Sequence, residues 1–354
     1  MARIMLKSIQ QLISQKARPQ KENNMIELKI GTIGSGPIVH SVMAAFVATE
    51  GIRYEAVYSR SEKAGQELAD AFGVQKVYTQ LDDLLDDPEV NFIYIASPNS
   101  LHYSQAKMAL EHGKSVICEK PLTPEKHLAE DLVQLARAKQ LFLIDAVPTA
   151  YLPNFQRIRD QLPKIGKVKL VLCNYSQYSS RYDLLLAGET PNIFSLDYAA
   201  GSLLDINFYN VYFTVALFGK PDDAIYYPNR FEGKIDTSGI MILTYDGFVS
   251  SCAGAKDTWG VNFAQIEGEN GFIYVKDGSN GIVEVRVVTK TTDETFNEQP
   301  VANRFFYEAL ALPKLVNAGA DAFASRQNTT LDVIEVMETA RKKAGIYFTG
   351  EEKP

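Results

Sequence analysis

From Met25 to about Ala146 the chain alternates short apolar, often β-branched runs with longer segments whose apolar positions recur every three or four residues. "LKIGTIG", "YEAVYS", "NFIYIAS", "SVIC" and "LFLIDA" are predicted strands. Between them, "IVHSVMAAFVATE", "SEKAGQELADAFG", the short "LDDLLDDPEV", "LHYSQAKMALEHG" and "PEKHLAEDLVQLARAKQ" are predicted helices. Regular alternation of this kind implies parallel strands joined by right-handed crossovers, a doubly wound α/β sheet. Ligands of such sheets bind beyond the carboxyl ends of the strands.

After Ala146 the texture changes. "KVKLVLCNYSQYS", "DAIYYPNRFEG", "GIMILTYDGFVSSCAG", "VNFAQIEGENGFIYV" and "GIVEVRVVTK" are strands with turn residues between them, which predicts a mainly antiparallel sheet. "AAGSLLDINFYNVYFTVALFG" reads as a helix stopped by Gly219, and "TLDVIEVMETARKKAG" as a last helix packed back on that sheet. The expected organisation is a loosely ordered extension or upstream start over 1–24, a dinucleotide-type parallel domain over 25–146, and an α+β domain with an open sheet over 147–354.

Length and charge narrow the partners. A chain of 354 residues that is 46% hydrophobic is long enough for two cores. A net charge of -7 leaves no basic field for nucleic acid or an anionic membrane, so a small polar ligand fits better. No apolar run approaches the roughly 20 residues of a membrane span. Cys118, Cys173 and Cys252 are far apart in the sequence, odd in number and without metal-ligand spacing, so they read as reduced thiols of a cytoplasmic protein with no metal.

The loop after the first strand is "GTIGSGPIV". In a dinucleotide fingerprint, a first glycine (Gly34) makes the tight turn and a second (Gly36) admits the pyrophosphate, which sits on the helix opened by Pro37 and Ile38. Val39 departs from the small residue expected at the third position. At the end of the second strand, where a carboxylate would hold the ribose of NAD, the chain has "VYSRSEK". Ser59 and Arg60, with Lys63 a turn later, offer donors and positive charge, which favours NADP over NAD.

Another strand ends in "SVICEKPLTPE", with Glu119, Lys120 and Pro121 in a row. A charged strand end is ordinarily just solvated surface. Asp205 and Tyr209 lie four apart in a predicted helix, hence on one face, where each also has an ordinary structural reading. His40, His112 and His127 share no spacing and carry no assigned chemistry.

"GTIGSGPIV", "YIASPNSLHYSQAKMALEHGKSVICEKPLT", "GSLLDINFY" and "LFGKPDDA" together resemble the Gfo/Idh/MocA family over most of the chain from Met25 onward. The resemblance implies an N-terminal Rossmann domain, a C-terminal open sheet whose free face pairs with another subunit in a homodimer or homotetramer, and hydride transfer between NADP or NAD and a sugar, cyclic polyol or related carbonyl compound. It places Lys120 beside the nicotinamide as acid or base, Glu119 against the cofactor, Pro121 at a turn made through a cis bond, and Asp205 and Tyr209 as the second catalytic pair. A lysine there, partly desolvated beside a cationic ring, is expected to have its pKa lowered toward working pH. Asn99 is expected at the nicotinamide ribose, with Ser97 and Pro98 shaping that loop and His102 opening the next helix against the cofactor. The family's inositol dehydrogenases have histidine where this chain has Tyr209. Asn207 and Ala200 replace family glycines and are expected to narrow the pocket. The long polar connection "NYSQYSSRYDLLLAGETPNIFSLDY" is expected to line the substrate mouth through Tyr178, Arg181 and Asn192. The alternatives are a non-catalytic nucleotide- and sugar-sensing regulator of the same fold, or a lyase or epimerase that restores its nicotinamide each turnover.

Overall fold

In the computed structural model the described residues are 25–353, so the reading of 1–24 lies outside them. The first half builds a parallel sheet from β1 (Leu28–Ile33), β2 (Ile52–Tyr58), β3 (Lys76–Tyr78), β4 (Phe92–Ile95), β5 (Ser115–Glu119) and β6 (Leu143–Ala146). Their order, β3-β2-β1-β4-β5-β6, is the doubly wound one, with its switch between β1 and β4. The connecting helices are α1 (Pro37–Phe46), α2 (Glu62–Phe72), α3 (Leu81–Asp86), α4 (His102–Glu111) and α5 (Lys126–Ala138).

Local chemistry sets their ends. Gly36 is the N-cap of α1 with Pro37 in its first turn, where a missing N–H costs nothing. Ser61 caps α2 by accepting from the Ala64 amide, and Gly73 closes that helix in the left-handed conformation. The three-residue edge strand β3 was too short to show as a period in the sequence.

The second half contributes α6 (Pro153–Gln161), β7 (Val168–Ser176), α7 (Ser180–Leu186), a π-helical turn (Leu203–Asn207) running into α8 (Phe208–Phe218), and β8 (Asp223–Arg230). There follow β9 (Asp236–Tyr245), β10 (Phe248–Ala255), β11 (Phe263–Gly268), β12 (Gly271–Lys276), β13 (Glu284–Thr289), β14 (Asp293–Phe296), α9 (Phe305–Ala318) and α10 (Ala324–Lys343). The eight strands run β14-β13-β12-β11-β7-β10-β9-β8. All adjacent pairs are antiparallel except β7 with β10, where Cys173 and Cys252, far apart in sequence, are register partners.

The last two helices tie the halves together. α9 packs on α1, and α10 packs on β8 and α8 and also on α5, beyond the single sheet contact expected of it. Ile334 of α10 thereby joins the core around β4, β5 and α5. On the large sheet's other face Ile225, Tyr227, Ile240 and Val249 are exposed.

Candidate active site

The glycine loop lies at the switch point. Gly34 has φ +110°, and a Cβ there would come within 2.9 Å of the Ala96 carbonyl oxygen, so neither the turn nor the approach to β4 tolerates a side chain. A Cβ on Gly36 would meet nothing within 4 Å, which leaves its backbone open to a ligand at the start of α1. Val39 is fully buried in the core, so the departure from the fingerprint falls on packing.

Two adjoining cavities extend from this loop. One of about 330 Å³ is lined by Gly34, Ser35, Ser59, Arg60, Ser97, Pro98 and Asn192. The other, of about 270 Å³, is lined by Ile38, Ser97, Asn99, Glu119, Lys120, Asp205, Tyr209 and Arg304, among others. They share Ala96 and Ser97 and form one trough from Arg60 to Lys120. Ser59 lies 3.3 Å from the Ser35 hydroxyl, holding the end of β2 to the glycine loop.

Lys120 follows β5, and its bond to Pro121 is cis, as the resemblance implied. Its Nζ donates to the Asp205 carbonyl at 2.5 Å and to Asp205 Oδ1 at 3.2 Å, and lies 4.9 Å from the centre of the Tyr209 ring. Asp205 comes from the π-helical turn and Tyr209 from the first turn of α8, and both face the cavity as their spacing required. Asp205 Oδ2 also accepts from Lys256 Nζ, at the end of β10. Burial would raise the Asp205 carboxyl, but Lys120 and Lys256 outweigh it and hold it well below the usual range.

The expected lowering of Lys120 rests on a cationic nicotinamide beside it, and the protein's own groups act the other way. Burial favours the lowering, but the fields of Tyr209, Asp205 and Glu119 outweigh it and hold the ammonium above its ordinary value. Of these, Asp205 is the full charge at neutral pH. Glu119 is itself pushed up, chiefly by burial, although it accepts from the Tyr94 hydroxyl and lies near Lys120.

Several expected contacts are otherwise engaged. The His102 ring joins two loops, with Nδ1 2.8 Å from the Pro121 carbonyl and Nε2 2.9 Å from that of Ser97, so its nitrogens face backbone rather than cofactor. Asn99 donates its amide to the Ala199 carbonyl at 2.8 Å, binding the first half to the segment before α8. Ser97 donates to Gln105 at 2.6 Å. Tyr178 donates to Asp183 and stacks on Trp259 with ring centres 5.6 Å apart, and lines neither cavity, although its neighbour Gln177 lines the one at Lys120. Asn192 and Arg181 line a neighbouring open cleft with Asn99.

Asn207 does not narrow the pocket. Its amide donates to the Cys252 carbonyl on β10 at 2.9 Å, and Gly254 makes room, since a Cβ there would lie 2.6 Å from Asn207 Cβ. Ala200 lines the neighbouring cleft and is excluded from the residues around Lys120. Sequence reasoning missed Tyr175, Lys256 and Arg304. Lys256 carried one weak signal, a charge at a strand end, whereas Arg304 stands before an ordinary amphipathic helix.

What the trough offers is a glycine loop with open backbone at one end and a lysine ammonium over a polar pocket at the other. Those are the requirements of a nicotinamide-dependent oxidoreductase. The chain belongs to the Gfo/Idh/MocA family, and its residues 28–145 match that family's "Oxidoreductase family, NAD-binding Rossmann fold". It is 34% identical over 290 residues to the uncharacterized oxidoreductase YgjR of Escherichia coli (strain K12), covering 82% of this chain and 88% of that protein. With the scyllo-inositol 2-dehydrogenase (NADP(+)) IolU of Bacillus subtilis (strain 168) it shares 32% identity over 329 residues, 92% of this chain and 99% of that one. The crystal structure of KijD10, a 3-ketoreductase from Actinomadura kijaniata in complex with NADP, has the same fold. It matches with a TM-score of 0.76 and 21% identity over 91% of this chain and 99% of that one.

Proposed function

We propose that this protein prefers NADP and moves a hydride between the nicotinamide and a carbinol or carbonyl carbon of a sugar, cyclic polyol or related compound. The observation that carries the reading is the convergence of Lys120, Asp205 and Tyr209 in one cavity continuous with the glycine loop. The open backbone at Gly36 and the tight turn at Gly34 fit a dinucleotide, which Gly34, Gly36, Pro37, Ile38, Ser59, Arg60, Ser97, Pro98, Asn99 and Glu119 would hold. When bound it gives or takes the hydride. Exposed Arg60 at the end of β2 favours a 2'-phosphate, and the NADP(+) relative from Bacillus supports that choice.

Lys120, held protonated by Asp205, donates a proton to the carbonyl oxygen as a substrate is reduced. In the reverse direction the same proton returns, with Tyr209 as the relay and Asp205 orienting the ammonium. Polyhydroxy compounds suit a pocket lined by donors and acceptors, and the IolU relative is a scyllo-inositol 2-dehydrogenase. We further assign 25–146 to the dinucleotide domain and 147–354 to the substrate domain, place the protein in the cytoplasm, and assign the exposed sheet face around Tyr227 and Ile240 to a homodimer or homotetramer contact. No helix among the described residues is long and apolar enough to cross a membrane.

The test is a screen of sugars, polyols and their carbonyl forms with NADP and NAD, followed at the nicotinamide absorbance. Hydride exchange is the expected result. Binding of NADP and a sugar without exchange would identify a sensor instead.

A further inference from the structure

Arg304 stands at the start of α9, on the chain's return from the large sheet, and its side chain lines the Lys120 cavity. Its guanidinium lies over two rings, 5.2 Å from the centre of Tyr209 and 5.0 Å from that of Phe305. One Nη donates to the Tyr209 hydroxyl at 3.3 Å, and the buried Nε has no partner. Among the described residues Arg304 makes no ion pair with a carboxylate, whereas Lys120 and Lys256 both pair with Asp205.

The balance of charge makes this uncommon. Three cations, Lys120, Lys256 and Arg304, meet around the cavity. Of the nearby acids, Asp205 is the one whose carboxyl is held below its ordinary range. Glu119 and Glu308 are both pushed up, burial being the largest cause in each, and neither carboxyl oxygen of Glu308 has a partner. A half-buried guanidinium with a buried, unused Nε–H and no carboxylate in ion-pair contact, Glu119 and Glu308 acting on it only from a distance, has capacity left for a ligand. Planar anions complete it best, because the guanidinium fork matches a carboxylate in two parallel hydrogen bonds.

Resting on the oxidoreductase reading above, we propose that the substrate is a polyhydroxy carboxylate, a sugar acid, whose carboxylate binds Arg304 while its reacting carbon lies at Lys120. Tyr209 separates the two cations, with Lys120 Nζ 4.9 Å and the Arg304 guanidinium carbon 5.2 Å from its ring centre. That spacing suits a carboxylate set a few carbons away from the reacting centre. Arg304 is thus a specificity-determining residue, and a neutral polyol leaves its N–H groups unanswered.

The experiment compares matched pairs with the cofactor saturating: D-gluconate against D-glucitol, and D-glucuronate against D-glucose. We expect kcat/KM for the acids to exceed that for their neutral partners at least tenfold. Arg304→Gln should cut this ratio by tenfold or more, chiefly through KM of the acid, and Arg304→Lys should restore part of it. A thermal shift with NADP reports whether each variant is folded and binds cofactor. Equal or better turnover of the neutral partners by the unaltered protein overturns the proposal and leaves the oxidoreductase reading standing. An Arg304→Gln variant that keeps the acid preference, or that loses NADP binding as much as acid turnover, also overturns it, the latter by assigning Arg304 to the cofactor. NADP binding with no hydride exchange on any of the four compounds or in the wider screen overturns both.

Discussion

Lys120 and Asp205, 85 positions apart, are joined twice, because the lysine ammonium reaches both the backbone carbonyl and the carboxylate of the same aspartate. The first half of the chain supplies the cation and the second half the anion. The pair therefore forms only when both halves are folded and docked.

Lys120→Met should fold, since Lys256 still pairs with Asp205 and methionine retains most of the apolar stem. Turnover should fall by roughly 10² to 10⁴-fold, the usual range for a positioned acid or base. A thermal shift with NADP at about 100 times its Kd, equivalent to about 2.7 kcal/mol, should persist. Near-full turnover would reduce Glu119-Lys120-Pro121 to a charged strand end.

Arg60→Ala tests cofactor choice. Loss of a charged hydrogen bond of about 1.5 to 3 kcal/mol should weaken NADP roughly 10 to 150-fold and barely change NAD. Titration calorimetry of both cofactors measures it. Equal affinities for NADP and NAD in the unaltered protein would remove the basis for the preference.

Asp205→Asn leaves two partly buried ammonium groups without their carboxylate. The side chain is 30% exposed, so the cost should be about 2 kcal/mol, below the ~3–5 kcal/mol of a fully buried pair. The sign with pH follows from the depressed Asp205 pKa. Its stabilisation is present above the unfolded value near 3.9 and is lost as pH falls toward the folded one. Urea denaturation should therefore show the gap between mutant and parent closing below about pH 4. A gap constant from pH 7 to 3 would contradict the pairing.

Ile240→Glu places a charge in the exposed apolar face of the large sheet, where Ile240 pairs in register with Tyr227, itself 62% exposed. Light scattering after gel filtration should show the assembled protein replaced by a monomer with unchanged circular dichroism. A parent that is already monomeric would withdraw the interface.

Carbonyl reduction should be level from pH 6 to 9, because in the ligand-free site Lys120 is held above its ordinary value and stays protonated through that range. A pH-rate profile of kcat/KM, which reports groups of the free enzyme, checks this. A fall centred near pH 7 would mean that some other group supplies the proton.

The repeated switch between strand and helix periods determined the parallel sheet by itself, because a period of two or 3.6 residues is written locally along each element. The same holds for the glycine loop, where the turn demands Gly34 and Gly36 leaves the backbone open, and for the i, i+4 placement of Asp205 and Tyr209. The Lys120 motif was legible through family likeness, since as a bare strand end it has an ordinary surface reading. Only the tertiary structure could decide what each charge faces. It turned Asn207 toward β10, gave His102 to two backbone carbonyls, brought Lys256 to Asp205, and set the fields of Tyr209, Asp205 and Glu119 against burial at Lys120. Hydrogen-bond partners and electric fields are set by neighbours in space, and Arg304 reaches Tyr209 across 95 positions of chain that no local pattern links.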